Sequence, residues 1–197
     1  MANVLSPNPN DPRVIRTRQL ILDAFLRLLN TKDFNQITIS DITSNATVNR
    51  ATFYAHFADK YALLEDMLSS AFTTLVVQKL DTEAPLTEQT LLELIEALCA
   101  YHESSQHCVK KYDSVALMIE ENIKLQLEQL ILRLLGKTSG TPDHSKALGS
   151  AATLLSWSIY GVTYRWNQDG RTEAPAELSK RVSPLIMGGI SHLHSIT

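Results

Sequence analysis

An all-α chain in two parts is what this sequence predicts: a head of three short helices, then a body of about six longer ones. Three observations carry that prediction. Apolar residues recur at the 3.6-residue period along nearly the whole chain, and no stretch alternates apolar with polar as a half-buried strand would. Two periodic stretches, near 39–46 and 50–56, are short and stand three residues apart. The later stretches are long, and the prolines fall mostly at their ends and in the loops.

Composition bounds the reading before any motif does. The 197 residues suffice for one medium domain, or for a small head joined to a larger body, and 44% hydrophobic content supplies a core. The net charge of −3 does not advertise a polyanion partner, but its distribution is uneven. Residues 1–60 carry seven Lys/Arg against five Asp/Glu, and the remainder eleven against sixteen. A basic head on an acidic body suits a protein that sets one end on nucleic acid. Cys99 and Cys108 make no disulfide framework, and the opening MANVLSPNPNDPR has no signal-peptide pattern. Ala147–Tyr164 lacks charge but includes five Ser/Thr, so a buried helix is expected rather than a membrane span. A cytoplasmic chain is the expectation.

Residues 1–12, with Pro7, Pro9 and Pro12, read as a flexible arm. The expected domains are then a head over 13–60 and a body over 61–197. Ile21, Ala24, Phe25, Leu28 and Leu29 share one face of a first helix at about 14–30. Ile39, Ile42 and Ala46 lie on a second, opened by Thr38 with Asp41 three residues on, the spacing of a helix start. A third covers Arg50–His56, and Asp59 opens a fourth that runs to about Leu80. In the body, helices are expected at about 88–105, from an Asp113 cap to a Gly136 stop, at about 144–167, and at about 175–194 with a bend at Pro184. The 113–136 helix has two apolar stripes, one of Ile119, Ile123, Leu127, Leu130 and Leu134 and one of Met118, Leu125 and Leu132. A helix apolar on two faces is expected to be sandwiched.

The segment ITISDITSNATVNRATFYAHFADKYALLEDML carries the function. Two short helices joined by a three- to four-residue turn form the unit that enters a DNA major groove. The turn is Thr47-Val48-Asn49, with Val48 plugging the small core and Phe53 and Phe57 pinning the second helix to the first. Arg50, Thr52, Tyr54 and His56 remain to reach phosphates or base edges, and Lys60 stands just beyond, where an ammonium can meet the DNA backbone. Bland alternatives stay open. Asn49 can simply cap the helix, His56 can hydrogen-bond within the head, and Arg13, Arg16 and Arg18 can be solvated or can grip flanking phosphates.

ATFYAHFADKYALL resembles the recognition-helix motif of TetR-family transcriptional regulators, and with ITISDITSNATVNR and the first helix the likeness covers about residues 14–66. The resemblance implies a repressor that binds a pseudo-palindromic operator in double-stranded DNA as a homodimer. It implies that Thr38, Tyr54 and Lys60 hold phosphates and that Asn49, Arg50, Thr52 and His56 face the groove. It also implies that the last two long helices, about 144–194, pair with those of a second subunit. The middle helices would enclose an effector, whose binding would swing helix 59–80 and spread the heads. One departure stands out: the family often has glycine where this chain has Thr47, and a β-branched residue dislikes positive φ, so a differently built turn is expected.

Trp157, Tyr160 and Tyr164 fall at i, i+3, i+7 on the 144–167 helix. They read either as core or dimer packing or, with His102 and Met118, as the lining of a pocket for an apolar or aromatic effector. Cys99, His102, His107 and Cys108 are chemically able to hold zinc, but their spacing matches no established finger, and no metal or other cofactor is expected. No nucleophile elbow, P-loop or dinucleotide fingerprint occurs, so an enzyme is not expected. The rival readings are a DNA-binding regulator governed by a protein partner or by its own abundance, and a helical-bundle adaptor or enzyme.

Overall fold

The structure, a computed structural model, describes residues 10–109, 115–138 and 145–193. Among them are eight α-helices and two 3₁₀ turns, and no strand. The helices are α1 (Pro12–Leu29), α2 (Ile39–Ala46), α3 (Arg50–His56), α4 (Lys60–Leu75), α5 (Glu88–Val109), α6 (Ala116–Thr138), α7 (Ser145–Gln168) and α8 (Pro175–Leu193). The 3₁₀ turns are Phe34–Gln36 and Val77–Lys79. The chain forms two compact units. One takes the residues up to Leu68 with those from His107 to Ile119, the other Ser69–Gln106 with those from Glu120 onward.

The first unit is built on short helices with side-chain caps. Pro12 opens α1 where its missing N–H costs nothing, and the Asp11 carboxylate accepts the Arg13 amide at 2.8 Å. The apolar face Ile21, Ala24, Phe25, Leu28 and Leu29 is buried as its period requires. Thr38 caps α2 in a full capping box. Its hydroxyl accepts the Asp41 amide at 3.1 Å, and the Asp41 carboxylate accepts the Thr38 amide at 2.9 Å. Phe25, Phe34, Ile42, Phe53, Leu63 and Leu64 are fully enclosed in this unit. Phe34 is held edge-on between Phe25 and Tyr61, at 6.2 and 5.1 Å between centroids.

The second unit buries long helical faces: Leu91, Leu94, Ile95 and Leu98 on α5, Leu127, Leu130, Ile131 and Leu134 on α6, Leu178 and Val182 on α8. Three expectations need correction. The fourth helix stops at Leu75, and the chain leaves the α-helical path at Val76 before the 3₁₀ turn, so it does not reach Leu80 unbroken. Gly136 does not stop α6, which runs on to Thr138; the flanking residues can satisfy the helix, and glycine merely permits an ending. The second apolar stripe of α6 is not sandwiched: Leu125 and Leu132 are exposed, while Ile123, Leu127, Leu130 and Leu134 are buried. Periodicity reports which faces are apolar and not what covers them. α8 continues through Pro184. The body has five α-helices and a 3₁₀ turn among the described residues, and the expected Asp113 cap lies outside them.

Candidate nucleic-acid interface

The turn between α2 and α3 decides what α3 presents. Thr47 adopts φ 57°, ψ 42°, in the left-handed region. The Thr47 amide donates to the Ser44 carbonyl at 3.3 Å, and the Val48 amide donates to the Thr43 carbonyl at 3.0 Å. Those two bonds are the Schellman ending that glycine ordinarily serves. The expectation of a differently built turn is therefore corrected. The glycine geometry is kept, and a β-branched residue bears a strain of about 1–2 kcal/mol to keep it. Asn49 then caps α3, its side-chain oxygen accepting the Thr52 amide at 2.7 Å.

Phe53 and Phe57 are buried, so α3 rests on one face. Arg50, Ala51, Tyr54 and Ala55 are exposed on the other, and Tyr54 keeps 55% of its surface open. The Tyr54 ring leans edge-on to Phe53, 5.6 Å between centroids, which aims the phenol outward from a fixed base. Thr52 and His56, four apart, lie half-buried along the flank. Burial, and secondarily the positive charge of Arg18, holds the His56 imidazole below its ordinary pKa. Sequence reasoning missed Ala51 and Ala55. Their small side chains let the helix axis approach a surface closely on either side of Tyr54, and only the exposure pattern singles them out.

Thr38 and Lys60 are both engaged inside the head. The Thr38 hydroxyl donates to Asp41 Oδ2 at 2.8 Å, and Lys32 Nζ stands 3.1 Å from the same carboxylate's Oδ1. The Asp41 carboxyl is held down to about 2 by hydrogen bonds from the Thr38 backbone and hydroxyl and from Lys32. Lys60 Nζ donates to the carbonyls of Phe34 and Ile37 at 2.9 Å and of Asn35 at 3.4 Å, and stands 4.5 Å over the Phe34 ring. Arg18 is not simply solvated either. It pairs with Asp66 and covers the Phe57 ring at 4.9 Å.

In the second unit, part of the aromatic group comes together. His102 and Tyr160 are buried, their rings 5.7 Å apart, and Tyr164 stacks on Tyr160 at 5.5 Å and 16°. His102 Nε2 lies 3.2 Å from Thr163 Oγ1, which itself lies 2.8 Å from the Ile159 carbonyl. Burial pushes His102 down to about 4. Trp157 stays apart from this group. It is 58% exposed, with Lys124 Nζ 4.2 Å over its ring. Met118 is half-buried and belongs to the other unit. Between α7 and α8 runs an apolar groove of about 600 Å³, lined by Ala151, Leu154, Ser158, Val162, Val182 and Leu185 among others. Leu154 and Leu185 stand open along it. Among the described residues no group of His, Cys, Asp or Glu could hold a metal ion, and the side chains of His107 and Cys108 lie outside those described.

A capped helix pair joined by a left-handed turn, with an exposed second helix, defines a helix-turn-helix protein. Residues 21–67 match the family model described as bacterial regulatory proteins, tetR family. The chain is 30% identical over 142 residues to the uncharacterized HTH-type transcriptional regulator YxbF of Bacillus subtilis (strain 168), a match over 71% of this chain and 32% of that protein. It is 33% identical over 67 residues to the HTH-type dhaKLM operon transcriptional activator DhaS of Lactococcus lactis subsp. lactis (strain IL1403), over 34% and 36% of the two. The matched part thus spans about a third of the length of either curated relative. In fold, it is similar to the dihydroxyacetone kinase operon activator DhaS, with a TM-score of 0.59 at 20% identity over 90% of this chain and 97% of that one. It is also similar to a TetR transcriptional regulator of Streptococcus agalactiae 2603V, with a TM-score of 0.58 at 22% identity over 89% and 96%. Residues 21–67 are thus a tetR-family regulatory-protein domain, and the curated relatives the chain is similar to are described as HTH-type transcriptional regulators.

Proposed function

We propose that this chain regulates transcription by binding, as a homodimer, a pseudo-palindromic operator with α3 in the major groove. The observation that carries the reading is the exposed face of α3: a base-reading Arg50, a phenol at Tyr54, and Ala51 and Ala55 small enough to admit the groove wall. The head is taken as residues 13–60 and the body as 61–197. Asn49, with its oxygen spent on the cap, offers only its amide nitrogen to DNA; Thr52 and His56 serve from the flank. Thr38 and Tyr54 serve the phosphates, whereas Lys60 works by fixing the strand of chain between Phe34 and Ile37. Selection of bound duplexes from genomic fragments tests this. Recovery of sites with two half-sites is the expected result, and the absence of any preferred duplex refutes it.

The apolar groove between α7 and α8, with Leu154 and Leu185 exposed, supports pairing of those helices with a second copy. Light scattering on the purified chain is expected to give a dimer mass. The buried pair of His102 and Tyr160, with the exposed Tyr164 stacked on Tyr160, supports an apolar or aromatic effector that releases the operator. Repression by occluding the operator is the first reading of the outcome. Activation is the second, favoured by the 33% identity to a protein described as an activator. In vitro transcription from a recovered site separates the two.

A further inference from the structure

In the first unit a half-buried carboxylate is compensated from a single side. Asp66, on α4, pairs through Oδ1 with the guanidinium of Arg18 on α1. Its other oxygen, Oδ2, is buried and has no hydrogen-bond partner. Arg18 is thus the cation paired with Asp66, and breaking the pair would leave Oδ1 without this partner while Oδ2 stays buried and unpaired. The same guanidinium lies 4.9 Å over the ring of Phe57, which is buried and caps the C-terminal end of α3 through its amide bond to Phe53 at 2.9 Å. A flat, delocalised guanidinium lays its face on the ring while its edge pairs with the carboxylate, a fixed geometry that a compact ammonium on a flexible stem does not reproduce. Three elements meet at this one side chain: it is rooted on α1, paired with α4 and laid on Phe57, the residue that caps α3.

We infer that Arg18 and Asp66 are positioning residues for DNA binding: the pair is a strut that fixes the exit of the recognition helix through Phe57. This rests on the reading of α3 as the groove-facing helix. The geometry makes a prediction whose sign separates it from the simpler idea that Arg18 touches phosphate. Asp66→Asn removes a negative charge from the head and frees Arg18, so a phosphate role predicts tighter binding. A strut predicts weaker binding, because the charge that holds Arg18 across Phe57 is gone.

The experiment measures affinity of the full chain for a duplex recovered by genomic selection, with melting followed by circular dichroism. Asp66→Asn is expected to weaken binding about tenfold with an unchanged salt slope, at a temperature where the variant is fully folded. Arg18→Lys, which keeps the charge, is expected to weaken it similarly, and the double variant to be no weaker than either single one. Equal or tighter binding by Asp66→Asn, full rescue by lysine, or additive losses each overturn the strut. Arg18→Lys carries the test by itself if Asp66→Asn does not fold. A wild-type chain that selects no duplex overturns the parent reading and the strut with it; a wild-type chain that binds beside unaffected variants overturns the strut alone.

Discussion

The ammonium of Lys60 meets Phe34 twice, donating to its carbonyl at 2.9 Å while standing 4.5 Å over its ring. With the Ile37 and Asn35 carbonyls also in reach, this cation is spent on the chain just ahead of α2. Lys60→Met is therefore expected to destabilise the head by about 1–3 kcal/mol, since the carbonyls lose a charged donor. Urea unfolding checks the loss. The salt dependence of DNA affinity is expected to stay as in the wild type, and a slope flattened by one unit would return Lys60 to the phosphates.

Thr47 keeps a glycine conformation without being glycine. Thr47→Gly is expected to stabilise the head by roughly 0.5–1 kcal/mol, the strain relieved less the extra freedom glycine gives the unfolded chain. A shift of the urea midpoint to higher concentration is the signature. A loss of stability would mean that the threonine side chain makes a contact worth more than the strain.

On α3, Arg50→Ala is expected to weaken operator binding by about 1–3 kcal/mol and to relax the preference at one base pair of each half-site. Tyr54→Phe removes only a hydroxyl and is expected to weaken all duplexes alike. Repeating the selection with each variant distinguishes a base contact from a phosphate contact.

His102 is buried and pushed down to about 4 from an ordinary 6.5. The unfolded chain takes up a proton near 6.5 while the folded one resists until about 4. Stability from this group is thus full above pH 6.5 and falls as pH drops from there to 4. His102→Gln is expected to flatten that stretch of the stability profile, and an imidazole resonance titrating near 6.5 in the folded protein would contradict the burial.

Asp41 gives a separate window, because its folded value of about 2 lies below the ordinary 3.8. The capping box is intact above pH 4 and is lost as pH falls through 2. Asp41→Asn is expected to lower stability at neutral pH and to erase the slope between those values, as thermal melts at a series of pH values would record.

The head was legible because its rules are local. The Thr38–Asp41 box, the three-residue turn and the Phe53–Phe57 spacing each act within four residues, and each placed α2 and α3 to the residue. What escaped needs three dimensions. Nothing in the spacing of Lys60 or Arg18 tells that one is turned to the carbonyls of residues 34–37 and the other to Asp66, since both partners are distant in sequence. In the body, the period found the helices but not their covering, so Leu125 reads as interior and lies at the surface. Thr47 shows the opposite failing: propensity argued against a backbone that the surrounding hydrogen bonds impose.

Cys99 offers a way to watch the body without knowing what it binds. The thiol is fully buried and, through burial and the charges of Glu103, Glu96 and Glu173, is pushed up to about 12, so it does not react while α5 stays packed. With Cys108 changed to serine, the rate of alkylation becomes a clock for opening of that unit. Any compound that prefers the closed body slows the clock in proportion to its occupancy, so a library of compounds can be screened by how long one sulfur stays silent.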